Sequence, residues 1–124
     1  MADHNDEILA DLALSISTVY TILVDACGML PVPIGLPTER HIPAESAIPA
    51  IQRVAEVAED QPMGEAQTMQ LYTGCVHLLA AIDLYALCAV RFVITRAEGA
   101  AANLLYAEEA LKRLALWLVI NQAD

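Results

Sequence analysis

Proline placement constrains this chain more than any other feature. Four of its six prolines, Pro31, Pro33, Pro37 and Pro43, crowd into residues 28–43, and on either side of that stretch apolar residues recur every three or four positions. Closely spaced prolines remove backbone donors and fix φ, so 28–43 is excluded from helix and from central strand. An extended, polyproline-like connection is expected there. The 3.6-residue period elsewhere predicts helices. The chain therefore reads as all-α: a bundle of four main helices, with a long central third helix and a proline-rich connection after the first. Its 124 residues fit a single domain, 1–124.

The first helix is expected from near Asp6 to Ala26. Asp3, Asn5 and Asp6 supply caps and favourable charge at its start. Ile8, Leu9, Leu12, Ile16, Val19, Tyr20, Leu23 and Cys27 share one face, Glu7, Asp11, Ser15, Thr18 and Asp25 lie opposite, and Gly28 is a stop signal. The connection that follows has apolar side chains of its own (Met29, Leu30, Val32, Ile34, Leu36), so it either lies over the core as a lid or is presented to a partner, and the rarity of exposed apolar patches on monomers favours the lid. The second helix is expected from near Ser46, with Pro49 in its first turn and Gln61-Pro62-Met63-Gly64 ending it.

The third helix is predicted from about Glu65 to about Glu98, with a bend at Gly74. Leu71, Cys75, Leu78, Ile82, Tyr85, Ala89, Phe92 and Val93 form its main apolar face; Tyr72, Val76, Leu79, Val90 and Ile94 form a second. Such a wide apolar surface belongs to a central helix. Gly99 is expected to separate it from a fourth helix at about 100–121, whose inner face is Leu104, Ala107, Leu111, Leu114, Trp117 and Leu118. Glu108–Lys112 and Glu109–Arg113 stand at the favourable i,i+4 spacing.

Composition excludes several classes of partner. Sixteen acids against six bases give a net charge of −10, which a phosphate backbone or an anionic bilayer repels. No nucleic acid is expected as a partner. The same charge suits a basic protein partner. The apolar stretch from Leu71 to Ile94 is long enough to span a bilayer. However, it carries His77, Asp83 and Arg91, and a central carboxylate costs about 3 kcal/mol on insertion, so a bundle helix with no membrane span is expected. Cys27, Cys75 and Cys88 are odd in number and lack CxxC spacing, and the acidic N-terminus has no basic leader region, so the expected location is cytoplasmic.

Catalytic and cofactor signatures are thin. No GxGxxG, P-loop or GxSxG occurs, and Cys75 and His77 point about 200° apart on a helix, so they share no metal. Glu-x-x-His motifs for a di-metal bundle are absent. No cofactor, no metal and no catalytic residue is assigned. One polar constellation stands out. Thr73, His77, Arg91 and Thr95 fall within a sector about 40° wide at 100° per residue, with Asp83 one edge further round. A charged residue among apolar neighbours needs a partner. The expectation is a polar seam or pocket of Thr73, His77, Asp83, Arg91 and Asp25, with Arg91 paired to Asp25 or Asp83 acting as an internal counter-charge. His41, near Glu39 and Arg40, is within reach of such a pocket only if the loop brings it there.

With 57% hydrophobic residues and only 18% charged, the chain has more apolar surface than a small monomer hides. On the fourth helix the charges stop after Arg113, and Leu116, Val119 and Ile120 continue along the outer side. They are the expected contact of a homodimer or larger homo-oligomer. The expected function is a non-catalytic, acidic, helical interaction protein that self-associates and binds a protein partner. Two alternatives stand beside it: a bundle that takes a small apolar ligand in an interior roofed by the proline loop and marked by His77, Asp83 and Arg91, and an acidic inhibitor or immunity-type protein that covers a basic site on an enzyme.

Overall fold

The computed structural model describes residues 3–38 and 44–122. Its elements are α1 (His4–Gly28), α2 (Ala44–Val57) with a single 3-10 turn Ala58–Asp60, α3 (Glu65–Val90) and α4 (Ile94–Gln122). The protein is an all-α bundle of four helices, and no strand occurs among the described residues.

Capping and periodicity account for α1. The Asp3 carboxylate accepts the backbone N–H of Asp6 at 2.9 Å, satisfying one of the free donors of the first turn. Leu12, Val19, Tyr20, Leu23 and Cys27 of the apolar face are buried, and the opposite polar stripe is exposed. After Met29 the chain turns back on itself, with the Ile34 N–H bonded to the Cys27 carbonyl at 3.0 Å.

The proline segment is short of donors, and the Val32 and Ile34 N–H groups are both bonded. The Gln61 side chain, 7% exposed, takes both polar groups of Val32: its Oε1 accepts the Val32 N–H (3.0 Å) and its Nε2 donates to the Val32 carbonyl (2.7 Å). The Tyr20 hydroxyl donates to the Pro37 carbonyl at 2.8 Å. Leu30 is buried, Met29, Ile34 and Leu36 pack half-buried on the core, and Val32 is exposed. The described part of the connection is thus laid against α1 and the end of α2. His41, Glu39 and Arg40 lie outside the described residues.

Two helix boundaries differ from the sequence reading. α2 begins by Ala44 rather than Ser46, so Pro49 stands inside the helix, beyond its first turn. α3 stops at Val90, and Gly99 lies inside α4. The break falls in the run Val90-Arg91-Phe92-Val93-Ile94-Thr95, whose β-branched side chains crowd a helix. Arg91 there is extended (φ −146, ψ 112). The Val93 carbonyl then accepts from Arg96 N and Ala97 N, and the Cys88 thiol donates to it at 3.5 Å.

The glycines serve packing instead. α3 and α4 are antiparallel: Gly74 meets Leu111, His77 meets Asn103, and Leu84 meets Gly99. A Cβ on Gly74 would overlap the Leu111 side chain, and one on Gly99 would sit 3.2 Å from Leu84 Cδ1. α3 runs through Gly74 as one helix.

α3 is the hub. It touches α1, α2 and α4; α4 lies along α3 and α1, and α2 packs on α3 and its own 3-10 turn. Val19 and Leu23 of α1, Ile51 and Val54 of α2, Leu71 and Leu78 of α3, and Leu111, Leu114 and Leu118 of α4 fill the centre. Each such side chain contributes about 1.5–3 kcal/mol over an exposed one. α1 runs parallel to α4, since Ile8 lies near Ile94 and Thr18 near Glu108. It is therefore antiparallel to α3.

Candidate functional site

The polar residues on α3 divide into two groups. Thr73 and His77 are half-buried beside α4. Asp83 and Arg91 are exposed, as is Asp25 on α1, and none of the three makes an ion pair among the described residues. The five-residue seam is therefore not assembled. The reason is topological: with α1 antiparallel to α3, Asp25 and Arg91 sit at opposite ends of the bundle. Asp83 points along the outward side of α3, where water solvates it and no internal partner is needed.

What the structure does assemble is a groove between α3 and α4. His77 Nδ1 lies 2.7 Å from Asn103 Oδ1. The Asn103 amide nitrogen donates to the Gly99 carbonyl at 2.8 Å, which fixes the amide's orientation and leaves Oδ1 as acceptor. His77 then donates from Nδ1, so in its neutral form Nε2 is the acceptor. The Tyr106 ring lies 5.4 Å from the imidazole, tilted by 36°. Met69, Gln70, Thr73, Glu109 and Arg113 complete a groove of about 240 Å³. The Arg113 guanidinium donates to Glu109 at 2.7 Å. Gln70 Oε1 is buried without a hydrogen-bond partner.

This arrangement offers acceptors and an aromatic face. Its lining holds no cysteine. Burial pushes the Cys27 thiol up to about 12 and the Cys75 thiol higher still, with Cys27 adding to the effect on Cys75. Both remain protonated, as does the Tyr20 phenol, raised by burial and then by Cys27. Among the described residues no group of three His, Cys, Asp or Glu side chains is placed to hold a metal ion.

The second candidate is a surface rather than a pocket. Leu116, Val119 and Ile120 are 62%, 55% and 63% exposed, and Leu105 is 69% exposed on the same helix. Lys112–Glu108 and Arg113–Glu109 form the expected ion pairs between them. The described part of the proline connection is tied to Tyr20 and Gln61 and leaves these side chains uncovered. Of the second apolar face expected on α3, Tyr72, Val76 and Val90 are exposed, with Met69 and Leu87 on the same side, whereas Leu79 packs half-buried against the core and Ile94 belongs to α4.

Asn103 and Tyr106, the partners of His77, carry no sequence signal, because they lie more than two dozen residues from it with no motif between. α1 and α3 are each long and apolar enough, by length and composition alone, to cross a bilayer. Comparison of the chain with protein-family models, with curated proteins and with solved structures returned no match.

Proposed function

We propose that this protein is a non-catalytic interaction module of the cytoplasm that self-associates and binds a protein partner. The observation that carries this reading is the exposure of large apolar side chains along the outward sides of α3 and α4, among them Leu105, Leu116, Val119, Ile120, Val76 and Val90. Surfaces of this kind are uncommon on monomers and mark contacts. The net charge of −10 favours a basic partner once the apolar faces are covered. Against a membrane span stands Asp83, which would face lipid on the exposed side of α3 at a cost of about 3 kcal/mol. Three free, buried cysteines suit a reducing compartment. Sedimentation equilibrium of the full chain tests the reading. A concentration-dependent mass above 13.4 kDa supports it, and a constant monomer mass overturns self-association.

A second reading has its own observation. The Nε2 of a neutral His77 and the neighbouring Tyr106 ring suit a small hydrogen-bond donor in the α3–α4 groove. Native mass spectrometry of the freshly purified protein tests it. A bound small molecule lost on His77→Phe supports it, and a bare chain mass counts against it.

A further inference from the structure

The outer side of α4 has an order that goes beyond apolarity. Ala102, Leu105, Glu109, Lys112, Leu116 and Val119 are all exposed, and their spacing alternates three and four residues along the helix. That is the repeat of a two-helix seam, separate from the inner face that Leu104, Leu111, Leu114 and Leu118 present to the core. A shallow concavity of about 590 Å³ runs over Ala102, Leu105, Glu109 and Lys112. Small side chains, Ser15 and Thr18 of α1 and Ala101, border it near Leu105, so another helix can approach closely.

The sequence of this seam is also its own complement when reversed. Read from either end of 102–119 it runs small or β-branched, leucine, charge, charge, leucine, small or β-branched. The two charges have opposite signs. We infer that this face binds a second copy of the chain, antiparallel, about a two-fold axis crossing α4 midway between Glu109 and Lys112. Leu105 then packs on the partner's Leu116 and Ala102 on the partner's Val119. Glu109 faces the partner's Lys112. The intrahelical pairs Glu108–Lys112 and Glu109–Arg113 become one network across the axis. A parallel, in-register pair would set Glu109 on Glu109 and Lys112 on Lys112, so charge selects the antiparallel arrangement. This inference rests on the self-association proposed above and adds its surface, direction and register.

Cysteine cross-linking in the otherwise native chain separates the two claims. Cys27, Cys75 and Cys88 are at most 1% exposed, so an added surface thiol is the reactive one. A mixture of Leu105→Cys and Leu116→Cys chains should give a covalent dimer with a short bis-maleimide. Either variant alone should not, since like positions are then about 16 Å apart along the axis at 1.5 Å per residue. Charge reversal is the companion test. Glu109→Lys and Lys112→Glu should each weaken dimerisation about tenfold, and the double reversal should recover it. The double variant keeps the intrahelical 109–113 and 108–112 repulsions of the singles but relieves the i,i+3 pair 109–112, so the two single variants are also mixed: with their intrahelical charges unchanged they complement each other across the axis, and their heterodimer should form as readily as the wild-type dimer. Helical content by circular dichroism should be the same throughout. A monomer at every concentration overturns self-association and this seam with it. A dimer that cross-links through Leu105→Cys alone, or through neither position, or that the double reversal leaves weak, keeps self-association and overturns the antiparallel seam.

Discussion

The outward faces of α3 and α4 are equally bare and differently written. On α3, Met69, Tyr72, Val76, Leu87 and Val90 are exposed along one side, and the charge among them is Asp83 alone. On α4, Leu105 and Leu116 bracket two acids and two bases in an order that a reversed copy complements. Apolar exposure says that a surface gains by being covered. The order of charges says by what. On this criterion the proposed occupant of α4 is a second copy of the chain. α3 specifies no occupant.

The comparison depends first on α3 and α4 being one rigid pair, and the strongest test strikes there. Leu111 is fully buried on the inner side of α4 against Gly74. Leu111→Ala should cost about 2–5 kcal/mol in urea unfolding. A loss under about 1 kcal/mol would mean that the two helices are less tightly coupled than their geometry implies. Next comes the contrast between the faces. Val119→Glu on α4 should dissociate the dimer while helicity holds, and Val76→Glu on α3 should leave the sedimenting mass unchanged. The opposite outcome would move the interface to α3.

A smaller effect sharpens the packing account. Gly74→Ala should destabilise by about 1–3 kcal/mol, because the added methyl meets Leu111 where nothing can give. Gly99→Ala should be neutral or slightly stabilising. Leu84 is half-buried and can shift by a few tenths of an ångström, and helix propensity gains about 1 kcal/mol. Equal effects at the two positions would remove the distinction between them.

These glycines also mark where sequence reasoning reaches its limit. Periodicity specifies which residues of α1 and α4 turn inward, and Leu12, Val19 and Leu23, like Leu104, Leu111 and Leu114, are buried as their spacing predicts. A glycine, however, signals either a turn or a close approach, and pattern alone does not separate the two. Gly99 is a close approach, and the β-branched run after Val90 makes the turn. The polar constellation fails for a related reason. Helical angles place Thr73, His77 and Arg91 in one sector, but they carry no information on which neighbour covers which length of it. α4 covers the sector at Thr73 and His77, and Arg91 lies past the helix end. The partner that orients His77 is Asn103, and no spacing rule links the two. The reversible order of charges on α4 was legible all along, but only once the inner face had been assigned and a second seam sought on the remaining side.

The smallest expected effect follows from that failure. Asp83→Asn and Arg91→Met should each change stability by no more than about 0.5 kcal/mol, as for other solvated surface side chains. A loss of about 3 kcal/mol in thermal or urea unfolding would restore a buried pairing that exposure argues against.

The central claim is that this chain finds its own copy through the outer side of α4. The most direct measurement is a dilution series followed by two-dimensional nitrogen-15 NMR on the wild-type protein. Concentration-dependent shifts should be confined to residues 102–120 and the bordering turn of α1 around Ser15 and Thr18. Shifts clustered instead along 69–90 of α3, or spectra that do not change with concentration, would contradict it.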